Sequence, residues 1–368
     1  GETLPVVRFA TFNTALNRSA PGALLDELRG GRSAAAQKVA EIVQRCRVDV
    51  LLLQELDRDA AGEAAQVFAR EYLAVAQNGQ RPIDFPFVFV AEVNTGEPSG
   101  RDLDGDGAVG GSGDAFGYGA FPGQYGMALL SRHPILADRA RTFRELAWHT
   151  MPDALRPDGL DDLTWQALRL SSKSHWDVPI GIGSAERGLV VHVLCSHPTP
   201  PVFDGPEDRN GRRNHDEVRF WVDYLDGAEW IVDDSGRRGG LPAAAPFVLM
   251  GDLNADPVDG DARREALQRL LGHARVQDPA PRSDGGDEAA LQQFGVNPQH
   301  KGDPALATGA FDDTVGKGPG NLRVDYVLPA RSLRVAAAGV FWPRSIEPAA
   351  QLARVSDHRL VFVDVVVP

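Results

Sequence analysis

The stretch FVLMGDLNADP, residues 247–257, joins an apolar run directly to the tetrapeptide GDLN at 251–254. The run predicts a buried strand, and the tetrapeptide places a carboxylate and a carboxamide at its end. Because side chains i and i+2 of an extended chain point the same way, Asp252 and Asn254 are predicted to share one side of the backbone. Unpaired polar groups beside a core cost free energy, so this pattern suggests a binding site. An Asx turn that merely closes the strand explains it equally well.

Other predicted strands of the chain end in the same way. Apolar segments at 6–13, 48–55 and 188–198 each run into a polar residue, and a Ser-Asp-His turn precedes the last strand. The polar residues at these ends are Asn13, Glu55, His197, Asp357 and His358. Each one alone has an ordinary explanation as a turn former or a hydrogen-bonded strand-end residue. Together they predict a shared cleft, because strand ends hold polar groups rigidly over one site.

The residue types at the strand ends favour one kind of chemistry. Carboxylate and carboxamide oxygens are the ligands of hard cations, so Mg²⁺ or Mn²⁺ is the expected cofactor. Magnesium keeps several waters and accepts further oxygens from a phosphoester substrate. Nearby histidines can hold a phosphate oxygen or assist the leaving group.

With these residues in place, the chain resembles the endonuclease/exonuclease/phosphatase superfamily. That group includes pancreatic-type deoxyribonucleases, apurinic endonucleases, neutral sphingomyelinases and inositol-polyphosphate 5-phosphatases. The similar segments follow the family's order and span nearly the whole chain: FATFNT (9–14), LLLQELD (51–57), YGMALLSR (125–132), CSHPTPP (195–201), VLMGDLNADP (248–257), RVDYVL (323–328) and VSDHRLV (355–361). The combination of QE, GDxN and SDH is specific, whereas GDLN or SDH alone would be weak.

The resemblance implies a metal-binding group and a phosphate-binding group. Glu55 would be the principal Mg²⁺ ligand, and Asn13 would lie beside it and help to position metal or phosphate. Asp357 would be a second carboxylate on the metal side. Asp252 would orient or deprotonate the attacking water, and Asn254 would bind the phosphate.

The resemblance also assigns roles around the histidines. His358 would contact the scissile phosphate and stabilise developing charge, and Asp325 would hold the His358 ring through its other nitrogen. His197 matches the histidine of the deoxyribonuclease- and sphingomyelinase-like branches, which assists at the phosphate or the leaving group. Apurinic endonucleases have a different residue there, so that repair activity is disfavoured. Tyr125 and Arg132 belong to a matching strand and are interpreted as structural.

The fold implied by the resemblance is an α/β (α+β) four-layer αββα sandwich, with two packed, mostly antiparallel sheets flanked by helices. The motif-bearing strands run from residue 6 to 367, and no Pro/Ser-rich linker divides the chain. We therefore expect a single domain over 1–368. Insertions are expected at about 94–124, 140–186, 198–216 and 273–321. Helices are predicted at about 33–47, 216–233 and 261–271, and further strands at 85–93, 125–135 and 323–329.

Charge and composition limit the partners of the chain. The formal net charge of −13 argues against tight sequence-independent binding of duplex DNA. No run of about 18 apolar residues exists, so no transmembrane segment is expected, and no obligate protein partner is evident. No positively charged leader precedes an apolar stretch, so any signal peptide is absent from this sequence. Cys46 and Cys195 lie on apolar stretches and are predicted to be buried free thiols.

An aspartate-rich loop interrupts the family pattern. Asp102, Asp104 and Asp106, followed by Gly107, match the start of a calcium-binding loop. The match fails at its twelfth position, Gly113, where a bidentate Glu is required. A structural Ca²⁺ and a solvated Asp/Gly loop therefore both remain open. Low-affinity calcium loops are typical of secreted or periplasmic proteins, which is the one hint of localisation.

The loop after His197 is the expected substrate-selecting insertion. It carries a basic cluster, predicted to precede a helix, of Arg209, Arg212, Arg213 and His215. These side chains could grip a second phosphate of the substrate. The alternative is a solvated basic patch balanced by the acidic residues around it.

The expected function is a Mg²⁺-dependent phosphoesterase that hydrolyses a phosphodiester, or a phosphomonoester, by in-line attack of activated water. A secreted nonspecific nuclease is one alternative; His197 supports it and the missing basic face weakens it. A catalytically silent scaffold that binds phosphorylated ligands or proteins is an alternative of another class. The intact set of polar strand ends argues against the scaffold.

Overall fold

The computed structural model describes residues 4–183, 188–292 and 294–367 of the chain. The two termini of the expected domain therefore lie outside the described residues. The same holds for the end of the predicted 140–186 insertion and for position 293 of the 273–321 insertion. Within the described part, none of the helices combines the length and the apolar character needed to span a bilayer.

The strands, in chain order, are β1 (Val6–Leu16), β2 (Val50–Leu56), β3 (Phe87–Phe89), β4 (Met127–Ser131), β5 (Arg141–Thr142), β6 (His175–Ile182), β7 (Leu189–Ser196), β8 (Phe247–Asp252), β9 (Gly309–Ala310), β10 (Asn321–Leu322), β11 (Asp325–Pro329), β12 (Arg334–Val340) and β13 (Val361–Val366). The α-helices are α1 (Ala23–Leu28), α2 (Ala34–Cys46), α3 (Ala64–Phe68), α4 (Asp162–Ala167), α5 (Arg209–Leu225), α6 (Glu265–Leu271) and α7 (Asp284–Gln292).

Two large sheets are formed by these strands. One has the order β12-β13-β1-β2-β4-β3, and the other has the order β11-β8-β7-β6-β5. Neighbouring strands are antiparallel except for β1 with β2 and β7 with β8, which are parallel. The small β9–β10 pair lies apart from both sheets. The predicted pair of mostly antiparallel sheets is thus confirmed.

Alternation along the strands sorts the apolar side chains between two cores. On β2, Val50 and Leu52 join the core between the two sheets, while Leu51 and Leu53 join the core under the outer helices. This division follows from the period of two, which sends successive side chains to opposite faces. Helices α1, α2 and α3 cover the outer face of the first sheet, and α5 and α6 cover the second. The four-layer sandwich is therefore confirmed.

Most predicted elements occur within a few residues of their expected bounds, but two differ more. The helix predicted at 216–233 is α5, which begins at Arg209 and ends at Leu225. Its first turns carry polar residues that tertiary hydrogen bonds bury, so no apolar period marks its start. Gly227 has a φ of 76° and follows the helix directly. The strand predicted at 85–93 is reduced to β3, which pairs only with β4 at the sheet edge.

Cys46 and Cys195 are both buried and free, as predicted. Burial raises the pKa of the Cys46 thiol to about 12, because a thiolate would lose its hydration there. Burial likewise raises the pKa of the Cys195 thiol. Neither side chain is suited to act as a nucleophile.

Gly251 precedes Asp252 at the end of β8, where the neighbouring strand leaves no room for a side chain. A Cβ at this position would lie 2.1 Å from the main-chain oxygen of Ser196 on β7. We expect Gly251→Ala to lower the free energy of unfolding by about 1–3 kcal/mol, since the strands must separate to admit a methyl group. Urea denaturation followed by circular dichroism measures this change.

Gly181→Ala on β6 is the matched control, because no described residue has an atom within 4 Å of the Cβ it would add. Its stability should stay within about 1 kcal/mol of the parent chain, or rise slightly. Equal losses in the two variants would show that the close approach of β7 and β8 is not the reason for the glycine.

Candidate active site

Strand direction explains why the polar residues meet at one edge of the sandwich. β1 and β2 are parallel, so Asn13 and Glu55 come at neighbouring strand ends. β7 and β8 are also parallel, and they bring His197 next to Asp252. β11 is antiparallel to β8 and starts where β8 ends, so that Asp325 pairs with Asp252 in register. The chain segments thus converge although they are far apart in sequence.

Asp252 is the centre of the hydrogen-bond network. Its Oδ2 atom lies 3.0 Å from Asn13 Nδ2, 3.3 Å from His197 Nε2 and 3.4 Å from His358 Nε2. Burial alone would raise the pKa of Asp252, but the charge of His358 and the donor of His197 outweigh it and lower the pKa. Asp252 is therefore a carboxylate at every pH at which the protein is expected to work.

Asn254 does not share a side of an extended backbone with Asp252, which corrects the prediction from spacing. Its φ is 50°, and its main-chain N–H donates to Oδ1 of Asp252 over 3.0 Å. The strand therefore ends in the Asx turn that the sequence left open. The side-chain Nδ2 of Asn254 donates to the carbonyl of Pro198 over 2.9 Å. This bond ties Asn254 to the segment that follows His197.

Asn13 was predicted as a metal-side residue, and both ends of its carboxamide are engaged. Nδ2 donates to Asp252, and Oδ1 accepts the main-chain N–H of Ala15 over 3.2 Å. The main-chain oxygen of Asn13 accepts from the hydroxyl of Ser356, whose oxygen also accepts the N–H of His358. Asn13 thus fits a role in fixing Asp252 and the Ser-Asp-His turn better than a role as a ligand.

His358 is held between two carboxylates. Its Nδ1 lies 2.9 Å from Oδ2 of Asp325, and its Nε2 faces Asp252. Burial opposes the charged ring, but Asp325 and Asp252 outweigh it and raise the pKa of His358 to about 10. Burial also raises the pKa of Asp325 to about 6, against the effect of the His358 charge. Near neutral pH the ring is therefore an imidazolium, with its Nδ1–H directed at Asp325 and its Nε2–H directed at Asp252.

We expect Asp325→Asn to move the alkaline limb of the kcat/KM profile for a phosphodiester to lower pH by at least about one unit. The raised pKa keeps His358 protonated up to about pH 10, and this charge is lost earlier once Asp325 is neutral. A pH-rate profile between pH 6 and 10.5 measures the shift.

Asp177→Asn offers a matched control, because Asp177 also holds a histidine, His192, over 2.7 Å but lies outside the cleft. That variant should keep the wild-type profile. An unchanged alkaline limb in Asp325→Asn would mean that the charge of His358 does not govern the reaction.

His197 has the opposite electrostatic character. Burial, together with the charge of Lys173, lowers the pKa of His197 to about 4, although Asp252 opposes this. The ring is therefore neutral at pH 7, with Nε2 as the donor toward Asp252. Its Nδ1 is buried and has no hydrogen-bond partner among the described residues. The two histidines beside Asp252 thus provide one cationic and one neutral imidazole.

The Glu55 carboxylate accepts no hydrogen bond from the described residues. Its backbone has a φ of 53°, a left-handed conformation that is strained for a residue with a side chain. No hydrogen bond or ion pair of its side chain occurs in the described part of the chain. Burial raises the pKa of Glu55, and the charges of Asp252 and Asp357 contribute in the same direction. An unpaired, partly desolvated carboxylate fits a bound cation.

Asp357 also has free acceptor capacity. Its side chain is 55% exposed, and its nearest charged partner is Nε2 of His358 at 3.9 Å. Asp252, Asp325 and His358 form a tighter group, with ligand atoms within 4.8 Å of one another. Both ring nitrogens of His358 already face carboxylates there, so hydrogen bonding accounts for that group. The donor set around Glu55 and Asp357 fits a hard divalent ion better.

Two recesses open on either side of Glu55. The smaller has a volume of about 340 Å³ and contains His197, Asp252 and His358 in its wall. The larger has a volume of about 510 Å³ and includes Tyr125 and Lys173. Pro200 and Phe203, from the segment after His197, line both recesses and form the ridge between them.

Sequence reasoning missed two residues of the larger recess. Tyr125 was interpreted as structural, yet it lines the recess beside Glu55. Lys173 received no role, although it is one of only four lysines in the chain; it lies inside the predicted 140–186 insertion. It is 6% exposed, and burial lowers its pKa against the effects of Glu217, Glu55 and Asp252. The rarity of lysine was the one available signal.

The aspartate-rich loop has its three carboxylates close together. Oxygens of Asp102, Asp104 and Asp106 lie within 4.8 Å of one another, and all three side chains are exposed. Asp102 accepts the N–H groups of Gly105 and Gly107. The buried Asp114 accepts three further main-chain N–H groups of this loop. Calcium binding at this loop stays a prediction.

The basic cluster is divided by helix α5. Arg209 and Arg213 line the larger recess, while Arg212 and His215 line neither recess. Arg212 instead donates to the carbonyl of Arg156 and pairs with Asp158 at 2.9 Å. His215 contacts Asp216 at 2.9 Å. The expected position of these residues in a loop before a helix is thus corrected, because all four lie within α5. Arg209 and Arg213, at i and i+4, share the side of the helix that lines the recess, and a role of the four in substrate binding stays a prediction.

Comparison with known proteins gives matches in family and fold. The model of the endonuclease/exonuclease/phosphatase family matches residues 10–358. No curated protein matches the chain in sequence. The structure resembles an endonuclease/exonuclease/phosphatase from Beutenbergia cavernae DSM 12333, with a TM-score of 0.53 and 17% identity, over 98% of this chain and 72% of that one.

A family protein from Bacteroides thetaiotaomicron is similar at a TM-score of 0.50 and 14% identity, with both chains covered completely. Likeness at such identities shows the fold alone. The family match over nearly the whole chain is stronger evidence, because the matched residues include every strand end that contributes to the cleft. This chain therefore belongs to the endonuclease/exonuclease/phosphatase family, whose members are hydrolytic phosphoesterases.

Proposed function

We propose that the protein is a Mg²⁺-dependent phosphodiesterase, with Mn²⁺ as a substitute, that hydrolyses its substrate by in-line attack of water. The observation that carries this proposal is the unpartnered Glu55 carboxylate between two recesses, beside the charged His358 and its two carboxylates. A cation site next to a fixed positive imidazolium is suited to a phosphoryl group, whose oxygens are negative.

Glu55 and Asp357 would hold the divalent ion. When bound there, it would neutralise phosphoryl charge and lower the pKa of a bound water. The chain's own groups do the positioning. His358 would donate from Nε2 to a phosphoryl oxygen, and Asp325 would keep its ring charged and oriented.

Asp252 would orient the attacking water, with His197 and Asn13 holding its carboxylate. Its lowered pKa makes it a weak base, so orientation is a better role for it than complete proton removal. Asn254 would donate from Nδ2 to the phosphate in place of the Pro198 carbonyl, while the Asx turn keeps its main chain fixed. No covalent intermediate is required by this arrangement.

The two recesses favour a diester over a monoester. An in-line displacement needs space on opposite sides of the phosphorus for the attacking and leaving oxygens. A phosphomonoester carries one substituent, on the leaving oxygen, whereas a diester carries a second one on an equatorial oxygen, which must be accommodated beside the attacking water. Recesses of about 340 and 510 Å³ that share Glu55 provide room for two substituents.

Lys173 would contribute a second cation to the phosphate. Its amine has no acceptor among the described residues, although the side chain is almost fully buried. We expect Lys173→Gln to lower kcat/KM roughly 10- to 100-fold, the loss of one charge-assisted contact, and Lys173→Arg to restore part of it. Steady-state kinetics with the exposed Lys38→Gln as a control tests this. Equal activity of Lys173→Gln and Lys38→Gln would remove Lys173 from the site.

Hydrolysis of bis-p-nitrophenyl phosphate with Mg²⁺, and after addition of EDTA, tests the proposed function. We expect turnover that EDTA removes and that Mg²⁺ or Mn²⁺ restores. Absence of metal-dependent turnover across bis-p-nitrophenyl phosphate, dinucleotides, lipid phosphodiesters and inositol phosphates would support the catalytically silent scaffold. Efficient nicking of plasmid DNA, faster than cleavage of any small diester, would instead favour the nonspecific nuclease.

A further inference from the structure

The two recesses beside Glu55 carry opposite charge. Apart from the central site residues, the smaller recess has one cation in its wall, Lys317. Its wall also contains four aspartates outside the central site: Asp256, Asp259, Asp261 and Asp312. Among the described residues, the wall of the larger recess contains no carboxylate besides Glu55, and three cations line it: Lys173, Arg209 and Arg213. A substrate that spans both recesses therefore meets different electrostatic surroundings at its two ends.

The cations of the larger recess keep donors free. Arg209 uses Nη1 to bind the carbonyl of Leu103 over 2.6 Å, and Arg213 uses Nε and Nη2 for main-chain carbonyls. Within the described residues, Nε and Nη2 of Arg209 and Nη1 of Arg213 have no protein acceptor. Neither arginine has a carboxylate within 4.0 Å in that part of the chain. These donors are thus available to a bound anion.

The carboxylates behind the larger recess are committed to the main chain. Glu217 is 1% exposed and accepts from the N–H groups of Ser172 and Thr199. Asp114 is 2% exposed and accepts N–H groups of the aspartate-rich loop. They hold the walls in position and lie outside contact distance of the arginines, so the positive charge of the recess is balanced only in part.

The larger recess also offers apolar surface. Tyr118 and Phe203 are 69% and 91% exposed, and Trp148 lies in the wall with its indole N–H donated to Asp216. Exposed aromatic faces next to arginines suit a planar or apolar group that carries an anion.

In the smaller recess Asp256, Asp259 and Asp312 also accept main-chain N–H groups, whereas Asp261 is exposed and accepts no hydrogen bond among the described residues. Four carboxylates against one lysine still disfavour an anionic substituent there.

We propose that the substrate is an unsymmetrical phosphodiester. The half in the larger recess bears a second anionic group, bound by Arg209 and Arg213 with Lys173 between it and the scissile phosphate. The half in the smaller recess carries no further negative charge. This inference rests on the proposed function. Long nucleic acid fits it poorly, since its phosphates continue on both sides of any bond.

Four small ligands separate these possibilities: dTpdT, its derivatives with a terminal phosphate on the 5′ side or on the 3′ side, and the derivative with both. Each is measured by how strongly it inhibits the initial rate of bis-p-nitrophenyl phosphate hydrolysis in saturating Mg²⁺, where a ligand that is itself hydrolysed acts as a competing substrate. We expect one singly phosphorylated isomer to inhibit about tenfold more strongly than dTpdT. The doubly phosphorylated ligand should inhibit no better than that isomer.

Arg209→Gln should abolish the advantage of the favoured isomer over dTpdT, measured as the ratio of the two inhibition constants in the same variant. Arg212→Gln is the matched control, because Arg212 lies on the same helix, also binds a main-chain carbonyl and lines neither recess. Asp261→Asn should improve inhibition by the doubly phosphorylated ligand, since this exposed aspartate has no hydrogen bond among the described residues.

Two results would overturn the proposal. One is inhibition by all four ligands within twofold; the other is strongest inhibition by the doubly phosphorylated ligand in the wild type. Calorimetric titration of the same ligands into the Asp252→Asn chain gives affinities without hydrolysis. If bis-p-nitrophenyl phosphate is not hydrolysed at all, the proposed function fails, while calorimetry still reports whether one isomer binds preferentially.

Discussion

Asp252→Asn is expected to lower kcat for a phosphodiester by roughly a thousandfold, within the range that positioned acid–base groups contribute. The substitution keeps the shape of the side chain and removes the negative charge that Asn13, His197 and His358 contact. An amide would also present N–H where a water needs an acceptor. Single-turnover kinetics with bis-p-nitrophenyl phosphate measures the loss of the chemical step separately from substrate binding.

Asp223→Asn is a suitable control, because Asp223 is also largely buried and lies away from the cleft, with its carboxylate on Arg219 and Trp230. It should keep the wild-type rate. Retention of more than about a tenth of kcat by Asp252→Asn would contradict the central role given to this carboxylate.

Glu55→Gln is expected to lower kcat/KM by roughly a thousandfold at the Mg²⁺ concentration that saturates the wild type. Several kcal/mol of charge stabilisation depend on a cation that a neutral amide binds poorly. Titration of the rate with Mg²⁺ should show a higher half-saturating concentration. The exposed Glu63→Gln, at the start of α3, is the control and should titrate as the wild type. An unchanged Mg²⁺ requirement in Glu55→Gln would exclude Glu55 as a ligand.

The same variant has a second readout that does not require activity. The pKa of Glu55 is raised in the folded protein, so its ionised form destabilises the metal-free fold as pH increases above the usual glutamate range. Glu55→Gln should therefore raise the melting temperature of the metal-free protein at pH 7 and lose the further increase that Mg²⁺ gives the wild type. Thermal denaturation with and without Mg²⁺ measures both effects.

Much of the fold could be predicted from local patterns. Strands such as VDVLLLQE carry continuous apolar residues that only a two-sided core can bury, and the structure places them in the centre of a sheet. The start of α5 could not be found this way. Buried polar residues such as Asn214 and Glu217 replace the apolar period there, and their partners come from distant segments.

The candidate site could also be predicted only in part from the sequence. Strand-ending polar residues pointed to Glu55, Asp252 and His358 because polar groups at the end of an apolar run stand out. Lys173 gave no such signal, since a single lysine near a strand is ordinary. The basic cluster was misleading for the opposite reason: Arg209 and Arg212 are neighbours in sequence, but only the first faces the cleft.

By itself, the sequence predicted the buried strands and the polar residues at their ends, because apolar alternation and residue type are properties of short segments; the resemblance of its motifs to a known family added the two-sheet sandwich. The tertiary structure alone decided the charge of each histidine, the free carboxylate of Glu55 and the contrast between the two recesses. These features depend on burial and on distances of a few ångströms between segments far apart in the chain. Electrostatic interactions change most steeply at those distances, so no local pattern can encode them.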